Sequence, residues 1–315
     1  MHAKGEERTI QVAGHRVKVT NPDKVFWPDE GITKGDVVEY YRRTASLILP
    51  YLKGRPESLH RHPDGIKDPG FYQKDVDHQP PRWVKVRTIR SESDRQGDQK
   101  DINYLVCNDK ATLLYLANLG CIELNPWLSR IGPGRGRLDK PDWLLIDLDA
   151  KTSGFRNVVG VAQEIRELLE ETGAKSYPKT SGKSGMHICL PLGAKYGYEQ
   201  SRRFAELLMQ SMHRRCPDLT SLERSPHKRQ GRVYLDFLQN SRGQTMAAPY
   251  CVRPVPGATV STPLEWDEVV ESLDPKDFTI GNIEARVKKV GDLWKPVLGK
   301  GIDLGKALGK LEKLS

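Results

Sequence analysis

An α+β fold is predicted for this 315-residue chain, and three observations predict it. Strand-like and helix-like apolar patterns alternate in a β-α-β-α-β order over residues 143–238. The block before it carries two helical patterns among Pro, Gly and aromatic residues. A 37% hydrophobic content is enough to bury a sizeable core.

The elements follow in order. Thr33-Lys34-Gly35-Asp36 opens the first helix: Thr33 can cap it, and Asp36 complements the positive helix end. Val37, Tyr40, Tyr41, Ala45 and Ile48 then recur at helical spacing, and a second helix is expected from Ala111 to Leu119. Trp143 to Asp149 reads as a short apolar strand. Over 155–171, Val158, Val161, Ala162, Ile165, Leu168 and Leu169 share one helical face. Met186 to Leu192 is a strand, 198–213 a helix through Phe204, Leu207, Leu208 and Met212, and Val233 to Leu238 a strand again. This order predicts a small sheet backed by two helices. The expected division is a module over 1–140, a second over 141–262, and a C-terminal extension of short helices and loops over 263–315. The stretch from Gly301 to Ser315 is expected to be partly mobile.

Composition excludes several classes. No apolar run approaches 18 residues, so no membrane-spanning helix is expected. The first eight residues lack a secretory apolar stretch. The five cysteines are dispersed without a CxxC pair, which argues for a reducing compartment and against a disulfide scaffold or a zinc site. A soluble, cytoplasmic protein is the expectation. The net charge of +9 is concentrated: residues 81–140 hold 11 Lys/Arg against 7 Asp/Glu, and residues 221–260 hold 6 against 2. A localised surplus suits a polyanionic partner.

The strongest chemical signal is Asp-Trp-Leu-Leu-Ile-Asp-Leu-Asp over 142–149. Residues two apart on a strand point the same way, so Asp147 and Asp149 share one face and Ile146 and Leu148 the other. A lone Asp-Leu-Asp is more often a strand end reaching solvent. A third acid, Asp236 within the apolar Arg232-Val233-Tyr234-Leu235-Asp236-Phe237, changes that reading. Three carboxylates on neighbouring strands can hold two Mg²⁺ or Mn²⁺ ions for phosphoryl transfer. Thr180-Ser181-Gly182-Lys183-Ser184-Gly185-Met186-His187 resembles a phosphate cradle without the P-loop spacing. Arg242 and Arg253 follow Asp236 and suit a leaving pyrophosphate. The basic loop Arg224 to Arg232, with Lys228 and Arg229, has too few apolar residues for core and favours nucleic-acid contact.

Further segments complete a pattern: Thr20-Asn21-Pro22-Asp23-Lys24-Val25, Gly31-Ile32-Thr33-Lys34-Gly35-Asp36, Leu52-Lys53-Gly54-Arg55-Pro56, Phe71-Tyr72-Gln73-Lys74, Cys121-Ile122-Glu123-Leu124, Leu235-Asp236-Phe237-Leu238-Gln239-Asn240 and Ala248-Pro249-Tyr250. Over roughly residues 17–290 the chain resembles the polymerase module of bacterial ligase D and its stand-alone archaeal relatives, within the archaeo-eukaryotic primase superfamily. The resemblance implies a primase-polymerase fold, with an RRM-like catalytic sheet, helices, and an N-terminal α/β module packed against it. It also implies gap filling and end processing in Ku-dependent non-homologous end joining, at prokaryotic DNA.

Carried over residue by residue, the resemblance makes Asp147, Asp149 and Asp236 the catalytic metal ligands, for two Mn²⁺ or Mg²⁺ ions. It makes Ser181, Lys183, His187, Arg242 and Arg253 the holders of the triphosphate. Lys24 and Lys34 would bind a downstream 5′-phosphate, and Phe71 and Tyr72 would stack on template bases. Residues 87–101, with Arg87, Arg90 and Arg95, would align broken ends, and Lys228 and Arg229 would approach primer and nucleotide. It implies Mn²⁺ and ribonucleotides as preferred. The chain departs from the family at Asn125, where a histidine commonly meets the nucleotide sugar, and the loop lysine often falls one residue after Lys183. No KxDG ligase signature occurs, so Ku and ligase are expected on separate polypeptides. Two other readings stand beside this one. A primase acting de novo usually carries the zinc site that these cysteines cannot form, and a non-catalytic DNA-end-binding module leaves the acid trio without a use.

Overall fold

The computed structural model describes residues 7–76, 79–90, 100–132, 136–149 and 154–314. They form two compact units, one comprising residues to Trp127, Thr245–Val260 and Thr279–Glu284, the other Leu128–Gln244, Ser261–Phe278 and the chain from Ala285. This differs from the division expected at 140 and 262. Thr245 bridges to Trp127, Met246 N donates to Pro126 O (3.3 Å), and Ala248 N donates to Leu124 O (2.9 Å). The returning segment thereby satisfies its backbone on the first unit's own strand.

The first unit runs β1 (Glu7–Val12), β2 (His15–Thr20), β3 (Val25–Trp27), β4 (Ile32–Thr33), α1 (Lys34–Leu52), β5 (Glu57–Arg61), β6 (Phe71–Gln73), β7 (Lys85–Arg90), β8 (Asp101–Val106), α2 (Lys110–Asn118) and β9 (Cys121–Pro126). Three antiparallel pairs accompany a three-stranded sheet ordered β6-β5-β9. The expected start of α1 is observed: Thr33 Oγ1 accepts from Asp36 N (3.2 Å), and Thr33 N donates to Asp36 Oδ2 (2.8 Å). Its apolar stripe, Val37, Tyr40, Tyr41, Ala45 and Ile48, is buried. The buried tyrosine hydroxyls are satisfied, Tyr40 donating to Tyr250 O and Tyr41 to Ile122 O.

The second unit is built on β10 (Trp143–Asp149), α3 (Phe155–Thr172), β11 (Tyr177–Thr180), β12 (Met186–Pro191), α4 (Tyr198–Arg215), β13 (Thr220–Ser221) and β14 (Val233–Asp236). After it come α5 (Ile283–Val290) and α6 (Leu304–Leu314). The five strands order β11-β12-β10-β14-β13, all pairs antiparallel except β13 with β14. The register decides what each face carries. Leu144, Ile146 and Leu148 lie beside Leu190, Ile188 and Met186, with Leu235 opposite Leu148. These pack with the predicted faces of α3 and α4 into one core. Each fully buried side chain of this kind contributes about 1.5–3 kcal/mol.

Two expectations are corrected. The sheet has five strands rather than three, because β11 and β13 are too short, and β11 too polar, to show a period of two. The stretch after Gly301 is a helix anchored by buried Leu304, Ala307 and Leu311, which belong to the same core. Among the described residues, no helix is long and apolar enough to cross a membrane.

Candidate active site

The polar face of the five-stranded sheet is as specific as its apolar one. Asp147 stands in register with Asp236 on one side and His187 on the other, and Asp149 lies opposite Tyr234. Registered residues on antiparallel strands point to the same face, so Asp147, Asp149, Asp236 and His187 share it. The three predicted acids are thus brought together on β10 and β14. His187 Nε2 lies 3.5 Å from Asp147 Oδ1, and Arg229 Nη1 lies 3.5 Å from Asp149 Oδ2. Asp236 accepts from Leu238 N (2.8 Å), yet burial pushes its carboxyl above the usual range, the neighbouring N–H groups opposing that rise.

Arg229, expected in a loop that approaches primer and nucleotide, has its side chain turned inward. It is 7% exposed, donates to the carbonyls of Glu223 and Arg224, and stacks on Tyr234 with its guanidinium carbon 3.9 Å from the ring centroid. Its charge therefore faces the acids, while neighbouring Lys228 is exposed. Asn240, quoted only as part of a motif, clamps the turn after β14: its amide exchanges hydrogen bonds with Leu145 N (2.8 Å) and Leu145 O (2.7 Å).

The Gly-rich loop is held by its own serine. Ser181 Oγ accepts from Lys183 N (3.2 Å) and Gly185 N (3.1 Å), and Ser181 N donates to Gly185 O (2.9 Å). Ser181 and His187 are buried and Lys183 is half-buried. A Cβ at Gly185 would lie 2.4 Å from Leu148 O, so this glycine lets the loop touch the strand that carries Asp147 and Asp149. Gly185→Ala is expected to displace the loop and lower stability by about 2 kcal/mol, which a melting curve checks. Arg242, expected on phosphate, donates to Asp139 Oδ1 (2.9 Å).

The first unit holds the remaining predicted residues. Asn125 on β9 is buried, and its Nδ2 meets no hydrogen-bond partner among the described residues; the same holds for Nη1 of Arg253, which is 7% exposed. Two buried donors without protein acceptors suit an oxygen-rich ligand. Phe71 and Tyr72 are exposed, at 46% and 60%. Lys34, only 6% exposed, donates to Thr20 O (2.6 Å) and Thr20 Oγ1 (3.2 Å). Burial, and then the charges of Lys24 and Arg61, lower its pKa from 10.5 to about 8. Arg61, which no sequence motif marks, thereby joins this cationic group. It donates to Leu119 O and Gln73, and its guanidinium carbon sits 5.3 Å from the Phe71 ring centroid. Lys24 is turned onto Asp64. Arg87 and Arg90 are exposed on β7; Arg95 lies outside the described residues.

Among the described residues, no group of three or more His, Cys, Asp and Glu is arranged to hold a metal ion. The chemistry of the donor set nonetheless fits a hard cation: Asp147 and Asp236 oppose one another directly, and Asp149, on the same face, is drawn to Arg229.

A family model described as the LigD primase-polymerase domain matches residues 33–294. The chain is 33% identical over 278 residues to the bifunctional non-homologous end joining protein LigD of Bacillus subtilis, covering 88% of this chain and 43% of that protein. It is 28% identical over 284 residues to the multifunctional non-homologous end joining protein LigD of Mycolicibacterium smegmatis, covering 90% and 36%. It therefore spans about two-fifths of the length of these relatives. Among solved structures, the polymerase domain from Mycobacterium tuberculosis ligase D in complex with DNA superposes with a TM-score of 0.81 at 28% identity, covering 91% of this chain and 99% of that one. An acid-bearing sheet, a serine-clamped glycine loop and a match through 33–294 lead to one assignment: the chain belongs to the LigD primase-polymerase domain family, a nucleotidyltransferase-type polymerase domain.

Proposed function

We propose that this chain extends primer ends by template-directed nucleotidyl transfer, filling gaps and processing ends during non-homologous end joining. The observation that carries the reading is Asp147 in register with Asp236, with Asp149 on the same face of a sheet whose other face is core. Those three carboxylates would hold one or two divalent cations, Mn²⁺ or Mg²⁺. When bound, such ions acidify the attacking 3′-hydroxyl and neutralise the leaving pyrophosphate.

The chain's own groups do the rest. His187 and Arg229 each face one carboxylate, and the charge of Arg229 limits the repulsion among the adjacent acids by drawing Asp149. Ser181 shapes the loop that presents Lys183 to the triphosphate, with Arg242 and the buried, unsatisfied Nη1 of Arg253 as further phosphate donors. Asn125 offers its Nδ2 to the nucleotide sugar, the role its position has in the family. Ribonucleotides and Mn²⁺ are the proposed preferences. Phe71 and Tyr72 stack template bases, an interaction that tolerates any sequence, and exposed Arg87, Arg90 and Lys228 follow the phosphate backbone. Ku and nick sealing are assigned to other domains or polypeptides, and the setting is the prokaryotic nucleoid.

Lys24, Lys34 and Arg61 are proposed to take the downstream 5′-phosphate, which makes a pH prediction. The phosphate is a dianion above about pH 6, and Lys34 is charged below about 8. The advantage of a 5′-phosphorylated gap over a 5′-hydroxyl gap should hold at pH 7 and fall as pH rises through 8. Ratios of dissociation constants measured between about pH 6.5 and 9.5 test it; a ratio unchanged across that range removes Lys34 from the phosphate site.

The whole reading is tested by extension of a 5′-phosphorylated gapped duplex with Mn²⁺ or Mg²⁺, offering ribonucleotides and deoxyribonucleotides separately. Templated extension that favours ribonucleotides supports it and shows that Asn125 serves at the sugar. Tight binding to the gap without any extension sinks it in favour of an end-binding module.

A further inference from the structure

In the three-stranded sheet of the first unit, Glu123, His60 and Tyr72 form one cross-strand row. His60 on β5 is in register with Glu123 on β9 and with Tyr72 on β6. The row runs from a side chain 2% exposed, Glu123, to one 60% exposed, Tyr72. Along it, His60 Nδ1 lies 3.3 Å from Glu123 Oε2, and the rings of His60 and Tyr72 stack with centroids 4.2 Å apart and 4° between their planes. The same Oε2 lies 3.2 Å from Arg253 Nε. One carboxylate oxygen therefore touches both the support of the exposed aromatic face and the arginine whose buried Nη1 meets no hydrogen-bond partner among the described residues.

The protons leave little freedom in this row. A carboxylate only accepts, so His60 Nδ1 must carry a proton. His62 Nε2 faces His60 Nε2 at 3.2 Å, and that gap holds one proton. Burial, chiefly, keeps the His62 imidazole below its usual pKa and so favours its neutral form. His62 can then supply the proton in the gap, with His60 Nε2 as its acceptor. The His60 ring is gripped at both nitrogens, which fixes the plane on which Tyr72 rests.

We propose that Glu123 is a positioning residue that couples the template-stacking face of Tyr72 to the phosphate-binding guanidinium of Arg253, so that a seated template base improves nucleotide capture. This rests on the polymerase reading above. The coupling is measured as the departure from multiplicativity in kcat/KM for one templated incorporation, using Tyr72→Leu, Arg253→Lys and the double variant. The expected departure is about fivefold or more with Glu123 present and under about twofold in a Glu123→Gln or His60→Phe background. Phenylalanine keeps the stack on Tyr72 but cannot donate to Glu123, so it serves even where the buried glutamine variant folds poorly. In parallel, ¹⁵N spectra of the unsubstituted chain should find His60 protonated at Nδ1.

Multiplicative effects with Glu123 present, coupling that survives both substitutions, or a His60 protonated only at Nε2 would each overturn the proposal. Tyr72→Leu and Arg253→Lys each leaving kcat/KM unchanged would instead remove the polymerase assignment of these residues, and the coupling with it.

Discussion

Asp147→Ala is expected to reduce templated extension by about a thousandfold or more, equivalent to at least ~4 kcal/mol of transition-state stabilisation. Asp147 stands at the centre of the acid group, opposite Asp236 on one strand and His187 on the other. Its loss removes a proposed metal ligand together with the carboxylate oxygen that lies 3.5 Å from His187 Nε2. Binding to a 5′-phosphorylated gap should stay within about threefold, because the residues assigned to that phosphate are elsewhere in the chain. The melting temperature is expected to hold or rise, since the substitution removes one of several like charges on one sheet face. Single-turnover extension, gap binding and a melting curve on one preparation separate these effects. Extension within tenfold of the unsubstituted chain would end the catalytic assignment.

The second large effect is expected at the cationic group of the first unit. Lys24→Ala combined with Lys34→Met should abolish discrimination between 5′-phosphorylated and 5′-hydroxyl gaps. The slope of log affinity against log salt should become shallower by about 0.9 for each phosphate charge no longer neutralised. Methionine is chosen because Lys34 is 6% exposed, and a truncation there would leave a cavity beside Thr20. The substitution should not destabilise through charge: burial already disfavours the ammonium, as its lowered pKa of about 8 records. A variant that still prefers the phosphorylated gap would move the phosphate site away from these lysines, leaving Arg61 as the cation to replace next.

Much of the fold was legible wherever the pattern was local. The capped start of α1 is written in Thr33 and Asp36 three residues apart, and the faces of α3 and α4 in apolar spacings that need no partner to be recognised. β11 escaped because Tyr177-Pro178-Lys179-Thr180 has no apolar alternation; its Thr180 N donates to Thr262 O, a neighbour 82 residues away. The return of 245–260 to the first unit escaped for the same reason, since its backbone partners lie on β9. The C-terminal helix escaped because Leu304, Ala307 and Leu311 give a sparse stripe among glycines and lysines, and only burial against the second unit's core explains its order.

The acid site divides along the same line. From sequence alone, Asp147 and Asp149 share a face and Ile146 and Leu148 take the other, because a strand's period of two is a property of the backbone itself. That Asp236 stands opposite Asp147 was decided only by the tertiary structure. Strand register depends on which apolar residues of β14 reach the core, and here Val233 and Leu235 do. Arg229 shows the same dependence: its loop reads as a basic stretch for nucleic-acid contact, and only the pairing of β14 with β10, which sets Asp149 opposite Tyr234, brings Asp149 within reach of its Nη1. Local periodicity determined which side chains could meet; the pairing of strands far apart in sequence, driven by burial of their other face, determined which ones did.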